Sequence, residues 1–259
     1  TKELREYGYD TVNLNLGCPS GTVVAKRRGS GLLAWPNTLD AFLDEIFSSC
    51  DCRISIKTRL GTTDTDEWED LLTVYDKYPL EELIIHPRVQ KDFYNNTPDM
   101  EAFLYAVENS RHTLCYNGDI CSVEDYRTWR QQMEEKRECA FMQESGHQTD
   151  PEDTGSLVSH LMLGRGVLKN PGLIGELTGH APITKDQFHA FHDDILKGYL
   201  DVMSGERNTL FRMKELWFYF AKYFTEPEKY VKQINKTQHV AEYRVIVDNL
   251  FREQEWEQK

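Results

Sequence analysis

The chain has 259 residues, 43 acidic against 30 basic side chains for a formal charge of −13, and 39 % hydrophobic residues. That length holds one barrel-sized domain or two smaller ones, with ample apolar material for a core. It contains no run of about 18 apolar residues, so no membrane span is expected, and the acidity argues at first against a nucleic-acid partner, which usually recruits basic surface.

The first strand is expected at 11–17, where Val12, Leu14 and Leu16 alternate with Asn13 and Asn15. It stops at Gly17-Cys18-Pro19, a stiff corner because proline keeps the preceding residue out of the helical region. Such a corner at the carboxyl end of a strand is where α/β barrels place reacting groups, although a cysteine there also serves as a small core hydrophobe. The basic, glycine-containing run Lys26-Arg27-Arg28-Gly29-Ser30-Gly31 follows. It reads either as a solvated turn or as a mobile loop. A helix is expected over 37–50.

Arg53–Arg59 forms the second strand, with Lys57 set between apolar neighbours. A lysine there costs free energy unless an anion or an electron-rich ring meets it. After a helix at 66–78, the strand Glu82–His86 ends in His86-Pro87-Arg88. After a helix at 98–109, the strand Thr113–Asn117 runs into Asn117-Gly118-Asp119, which is ordinary turn chemistry or a cradle of backbone amides for a phosphate. A helix follows at 122–135, then a polar loop or insertion over 134–158. The strand Ser159–Gly164 leads to Gly164-Arg165-Gly166, where glycines admit a phosphate and a guanidinium grips it, and a helix at 170–177 closes this part.

Strands alternating with helices imply a parallel sheet with helical crossovers, and the spacing suits a (β/α) barrel. Five strands are visible where a closed barrel of this type has eight. From Gly179 onward the pattern is helical, with apolar stripes through Phe188, Leu196 and Tyr199, through Leu210, Met213 and Trp217, and through Val240, Tyr243 and Val247. Three such helices make a bundle, with a domain boundary near 179–184. Residues 180–259 hold 12 basic and 13 acidic side chains, so this part is nearly neutral and can present a local basic face. The six cysteines include Cys50 and Cys52 as C-x-C, not the C-x-x-C of a redox or zinc site. Reduced thiols, a cytoplasmic setting and no metal are therefore expected.

The ordered series Asn-x-Asn-x-Gly-Cys-Pro at 13–19, Lys-x-Arg-Leu-Gly at 57–61, His-x-Arg at 86–88, Asn-Gly-Asp-Ile at 117–120 and Gly-Arg-Gly at 164–166 resembles the tRNA-dihydrouridine synthases. The resemblance covers residues 8–178 and, more loosely, the helical tail. It implies a TIM-type (β/α)8 barrel, here lacking its first three strands at the N-terminus, as residues 1–179, followed by a helical tRNA-binding domain as residues 180–259. It further implies FMN as cofactor and NADPH as its reductant. Reduced flavin would deliver hydride to C6 of a uridine in tRNA, and Cys18 would act as the general acid that protonates C5. Asn15 would contact flavin or uracil, and Lys57 and His86 would line the flavin; Asn117, Gly118, Asp119, Gly164 and Arg165 would hold its phosphate. Lys26, Arg27, Arg28, Arg88, Arg212 and Lys214 would face the RNA. The missing strands keep two other readings open: an RNA-binding fragment without flavin, and an FMN barrel reductase of a small pyrimidine or enone.

Overall fold

The computed structural model describes residues 1–144 and 158–257. Two compact units divide the chain: Thr1–Ile120 with Arg127–Leu163, and Cys121–Tyr126 with Gly164–Lys259.

The first unit is built on five parallel strands, β1 (Thr11–Asn15), β2 (Arg53–Arg59), β3 (Glu82–His86), β4 (Leu114–Tyr116) and β5 (Val158–Leu161), which lie side by side in chain order. Sequential order without a reversal is the arrangement of a barrel wall; a doubly wound sheet would reverse direction at a switch point. Short α1 (Lys2–Glu6) and α2 (Gly21–Val24) flank β1, while α3 (Pro36–Ser49), α4 (Glu67–Tyr75), α5 (Met100–Asn109) and α6 (Val123–Glu144) follow the first four strands. Local chemistry sets several of the helix starts. Pro36 opens α3, a position where its missing N–H costs nothing. The Asp99 carboxylate accepts from the Ala102 N–H at 3.0 Å to cap α5.

The two sheet faces differ in character because side chains alternate along each strand. Ile54, Ile56 and Thr58 of β2, Leu83 and Ile85 of β3, and Leu114 and Tyr116 of β4 are buried. So are Leu39 and Leu43 of α3, Leu71 and Tyr75 of α4, and Phe103 of α5. The Thr58 hydroxyl meets the Tyr75 hydroxyl at 2.8 Å, and Trp68 of α4 donates to the Ala102 carbonyl at 3.0 Å. The opposite face is polar. Register places Asn15, Lys57, Ile84, Cys115 and His160 in one row across the sheet. The preceding row holds Asn13 and Ser55, whose side chains bond at 2.8 Å.

The helix expected to end near residue 135 continues to Glu144, supported by Arg130–Glu134 and Gln131–Glu135 pairs, each at 2.7 Å and four residues apart. Charge density that reads as a loop is here the surface of a helix. The rest of the expected 134–158 insertion, up to residue 157, lies outside the described residues.

The second unit is helical: α7 (Arg165–Lys169), α8 (Leu173–Leu177), α9 (Lys185–Val202), α10 (Glu206–Phe220), α11 (Glu228–Lys236) and α12 (Val240–Glu253). It starts at Gly164, earlier than the boundary expected near 179–184, because α7 packs on α10. Thr184 and Gln187 form a reciprocal capping box at the start of α9. Phe188, Met213, Trp217, Ile234, Tyr243 and Leu250 are among its buried core residues. The Tyr243 hydroxyl accepts from Trp217 Nε1 at 2.7 Å and reaches His192 Nε2 at 2.6 Å. The tail thus has four long helices where three apolar stripes were read. The fourth, α11, buries only Tyr230 and Ile234, too sparse a stripe to stand out among its lysines.

Candidate active site at the carboxyl ends of the strands

The corner after β1 is held from two directions. The Arg59 guanidinium, 2 % exposed, donates from Nε to the Gly17 carbonyl at 2.9 Å, from Nη1 to the Val89 carbonyl at 3.1 Å, and from Nη2 to the Phe93 carbonyl at 2.8 Å. It also lies over the Tyr94 ring, 5.5 Å from the centroid. From the other side the Cys18 carbonyl accepts from the Ser30 N–H at 3.1 Å and the Ser30 hydroxyl at 2.9 Å. Gly29 has φ +54, and a Cβ there would meet the Cys18 carbonyl at 2.7 Å, so only glycine permits this approach. The run expected as a mobile or solvated loop therefore has Gly29, Ser30 and Gly31 buried against the corner. Cys18 itself is half-buried with a free thiol, and its sulfur has no hydrogen-bond partner among the described residues.

On the neighbouring strand Lys57 is half-buried and makes no hydrogen bond or ion pair among the described residues. Burial, with Arg59 nearby, pushes its ammonium down to about 8. One row further along the same face lie Arg59 and His86. The His86 ring sits 2.6 Å from the Asn117 carbonyl through Nδ1. A carbonyl only accepts, so Nδ1 carries the proton. Burial, then the surrounding Arg59, Lys57 and Arg88, push His86 down to about 3, which leaves it neutral at pH 7. Its Nε2 then accepts from Arg88 Nη1 at 3.4 Å.

Arg88 and Asp119 form a bidentate pair, at 3.2 Å and 2.5 Å, and Arg88 Nε donates to the Asn96 carbonyl. This corrects the expectation that Arg88 faces RNA: it is 2 % exposed and its donors are spent inside the protein. The same pairing commits Asp119, whose negative charge is met by Arg88 and is not itself a group to hold phosphate. The Asn117 side-chain amide donates to the Met162 carbonyl at 2.7 Å, tying β4 to the end of β5. At Gly118 a Cβ would overlap the Tyr116 hydroxyl, so packing also demands glycine there. In the second unit, Gly164 is exposed and precedes Arg165 at the start of α7, with open space where a Cβ would project.

Lys26 and Arg28 are exposed and make no ion pair among the described residues, and Arg27 lies over Trp35, 4.9 Å from the ring centroid. In the second unit Arg212 pairs with Glu215 at 3.2 Å, and the Lys214 ammonium donates to the Thr237 carbonyl at 2.7 Å, at the end of α11. Arg59 and Ser30 escaped the sequence reading. The alternation that singled out Lys57 puts Arg59 on the same face, and the glycines on either side of Ser30 marked a close backbone approach.

A sequential parallel sheet with a cysteine corner, a half-buried lysine and a neutral histidine at its carboxyl end fits the wall and reacting face of an α/β-barrel enzyme. The family model of the dihydrouridine synthases (Dus) matches residues 2–257, and the chain belongs to that family of flavin-dependent TIM barrels. Curated relatives agree. A "Probable tRNA-dihydrouridine synthase" of Staphylococcus aureus strain Mu50 is 25 % identical over 256 residues, spanning 95 % of this chain and 69 % of the relative. One of Staphylococcus epidermidis is 37 % identical over 123 residues, 45 % of this chain and 37 % of the relative. A "Probable tRNA-dihydrouridine synthase 2" of Bacillus subtilis is 36 % identical over 89 residues, 34 % and 27 % of the two chains.

Proposed function

We propose that this chain reduces uridine to dihydrouridine in tRNA, with FMN as its cofactor, NADPH as the reductant, and Cys18 as the acid. The observation that carries the reading is a free thiol and a free ammonium, Cys18 and Lys57, at the carboxyl ends of adjacent strands. Both are half-buried, and neither has a hydrogen-bond or ion-pair partner among the described residues. An unpaired, half-buried ammonium fits an electron-rich or anionic ring, which is what a reduced flavin presents. Bound FMN would supply the two electrons that the uracil takes up.

The chain's own groups do the rest. Cys18 Sγ holds the proton that C5 receives, at a corner fixed by Arg59 and Ser30. Lys57 provides the positive charge that favours an anionic partner on this face. His86, neutral, with its proton on Nδ1 and an acceptor at Nε2, adds a fixed dipole without a second proton to lose. Within the first unit the Gly118 backbone remains for the cofactor phosphate, since the side chains of Asn117 and Asp119 are committed elsewhere. Lys26 and Arg28 are the basic groups of the first unit best placed to meet RNA phosphates. A tRNA substrate also implies work in the cytoplasm.

The test is Cys18→Ala assayed on an unmodified tRNA transcript. Dihydrouridine formation should be lost while the yellow flavin absorbance of the purified protein persists. Full activity in that variant would remove Cys18 from the chemistry, and equal turnover of free uridine would remove tRNA from the assignment.

A further inference from the structure

At the other end of the same sheet, Cys50 and Cys52 lie in contact, with sulfurs 3.7 Å apart. We infer that this C-x-C is a thiol modification site, one that closes to an intramolecular disulfide by exchange with a low-molecular-weight disulfide. Both thiols are free and half-buried. This is the one contact between two cysteine sulfurs among the described residues.

The fold holds the pair together. Cys50 ends α3 in an extended conformation, φ −106 and ψ 133, with its N–H bonded to the Ile46 carbonyl at 2.8 Å. Extended backbone sends side chains two residues apart to the same side. Asp51 between them is pinned by Arg5, from Nη1 to its carboxylate at 2.6 Å and from Nη2 to its carbonyl at 2.5 Å. Immediately beyond Cys52, the Arg53 N–H bonds the Asp10 carbonyl at 3.0 Å as β2 begins. Both ends of the tripeptide are thus anchored, and the two sulfurs stay close without being bonded.

The exchange balances with the small disulfide as oxidant. One cysteine thiolate attacks a sulfur of glutathione disulfide, forming a mixed disulfide and expelling one glutathione thiolate, which takes up the proton the cysteine lost. The second cysteine, deprotonated, attacks the protein sulfur of that mixed disulfide and expels the second glutathione. Two protein thiols are oxidised, one disulfide is reduced to two thiols, and no further reactant is needed. The site lies at the amino ends of β1 and β2, so closure does not consume Cys18, and the inference stands independently of the proposed activity.

The experiment treats the full chain with glutathione disulfide, quenches with an alkylating agent, and follows each cysteine by peptide mass spectrometry. The peptide carrying Cys50 and Cys52 should lose two hydrogens and take no alkyl group. This should occur at least about tenfold faster than any change at Cys115, whose thiol is buried and pushed up to about 12. In Cys52→Ser the second step is blocked, and a stable glutathionyl adduct should persist on Cys50. In concentrated urea the wild-type pair should close more slowly, because its anchors are gone. A wild-type peptide that stays reduced, or keeps its glutathionyl group without closing, overturns the inference; so does closure as fast in urea as in the folded chain.

Discussion

Arg59→Met isolates the device that fixes the Cys18 corner. Methionine keeps an unbranched apolar stem of similar reach, so packing changes little, while three bonds from a cation to the Gly17, Val89 and Phe93 carbonyls disappear. Hydrogen bonds to charged groups contribute about 1.5–3 kcal/mol each, so the gross loss is on the order of 4–9 kcal/mol. Against it stands the relief of no longer burying a guanidinium, several kcal/mol for an ion of this size. The net expectation is a destabilisation of about 2–4 kcal/mol. At a urea dependence of about 3 kcal/mol per molar, this moves the unfolding midpoint of the first unit by about 1 M. Arg59→Lys should be no better, since a single ammonium cannot span three carbonyls. The second readout is Cys18 itself: with its corner loosened, the thiol should be alkylated several-fold faster than in the parent. A variant as stable as the parent, with unchanged alkylation at Cys18, would refute the claim that Arg59 holds this corner.

Lys57→Met should stabilise the flavin-free chain at pH 7 while abolishing flavin retention. The native ammonium titrates at about 8 against 10.5 when exposed, so the folded state resists its charge. Stability of the parent should rise as pH climbs from about 8 to 10.5, and the advantage of the variant, on the order of 2 kcal/mol, should vanish over that window; urea melts across pH read it. His86 is the acid-side counterpart. Its pKa falls from 6.5 to about 3 on folding, so the unfolded chain binds the proton first and stability drops as pH falls through that interval. His86→Asn should flatten the drop, and an unchanged slope would reject the neutral-histidine assignment. Gly118→Ala forces a methyl into the Tyr116 hydroxyl and should cost about 1–3 kcal/mol, visible as a lowered thermal midpoint.

The strands were legible because β2 alternates Ile54 and Ile56 with polar residues and β3 carries the run Leu83-Ile84-Ile85 ending at His86, and the expected ranges Arg53–Arg59 and Glu82–His86 are those observed. The candidate polar residues were legible for the same reason, since each interrupts an apolar strand at its carboxyl end. What each one bonds to was not. Asp119 and Arg88 are 31 residues apart, as are His86 and the Asn117 carbonyl. No local pattern reports that two loops will meet, so both arginine and aspartate read as groups offered to a ligand. The run Lys26–Gly31 failed differently. Its composition is that of a solvated turn, and only close packing, of Gly29 on the Cys18 carbonyl and of Gly31 on Val24, turns its glycines into packing residues. Helix α11 was hidden by its lysines, although its Tyr230 and Ile234 lie four residues apart on one face.

The pairing pattern also shows how a chain of net charge −13 can keep a locally positive site, as the proposed electron-rich cofactor requires. Net charge sets the distant field, but a buried site feels its neighbours through a medium that screens far less than water. Lys57, Arg59 and Arg88 share this end of the sheet. Arg88 is met by Asp119, and Arg59 spends its donors on neutral carbonyls and an aromatic face, which leave its charge in place. Lys57 has no hydrogen bond or ion pair among the described residues. The local balance is therefore positive even though the chain is acidic. His86 keeps it from rising further by remaining neutral, since a protonated imidazole would stand beside three cations. An apolar residue at 57 would give a more stable empty protein, so under the proposed function the Lys57 ammonium is stability given up for the cofactor.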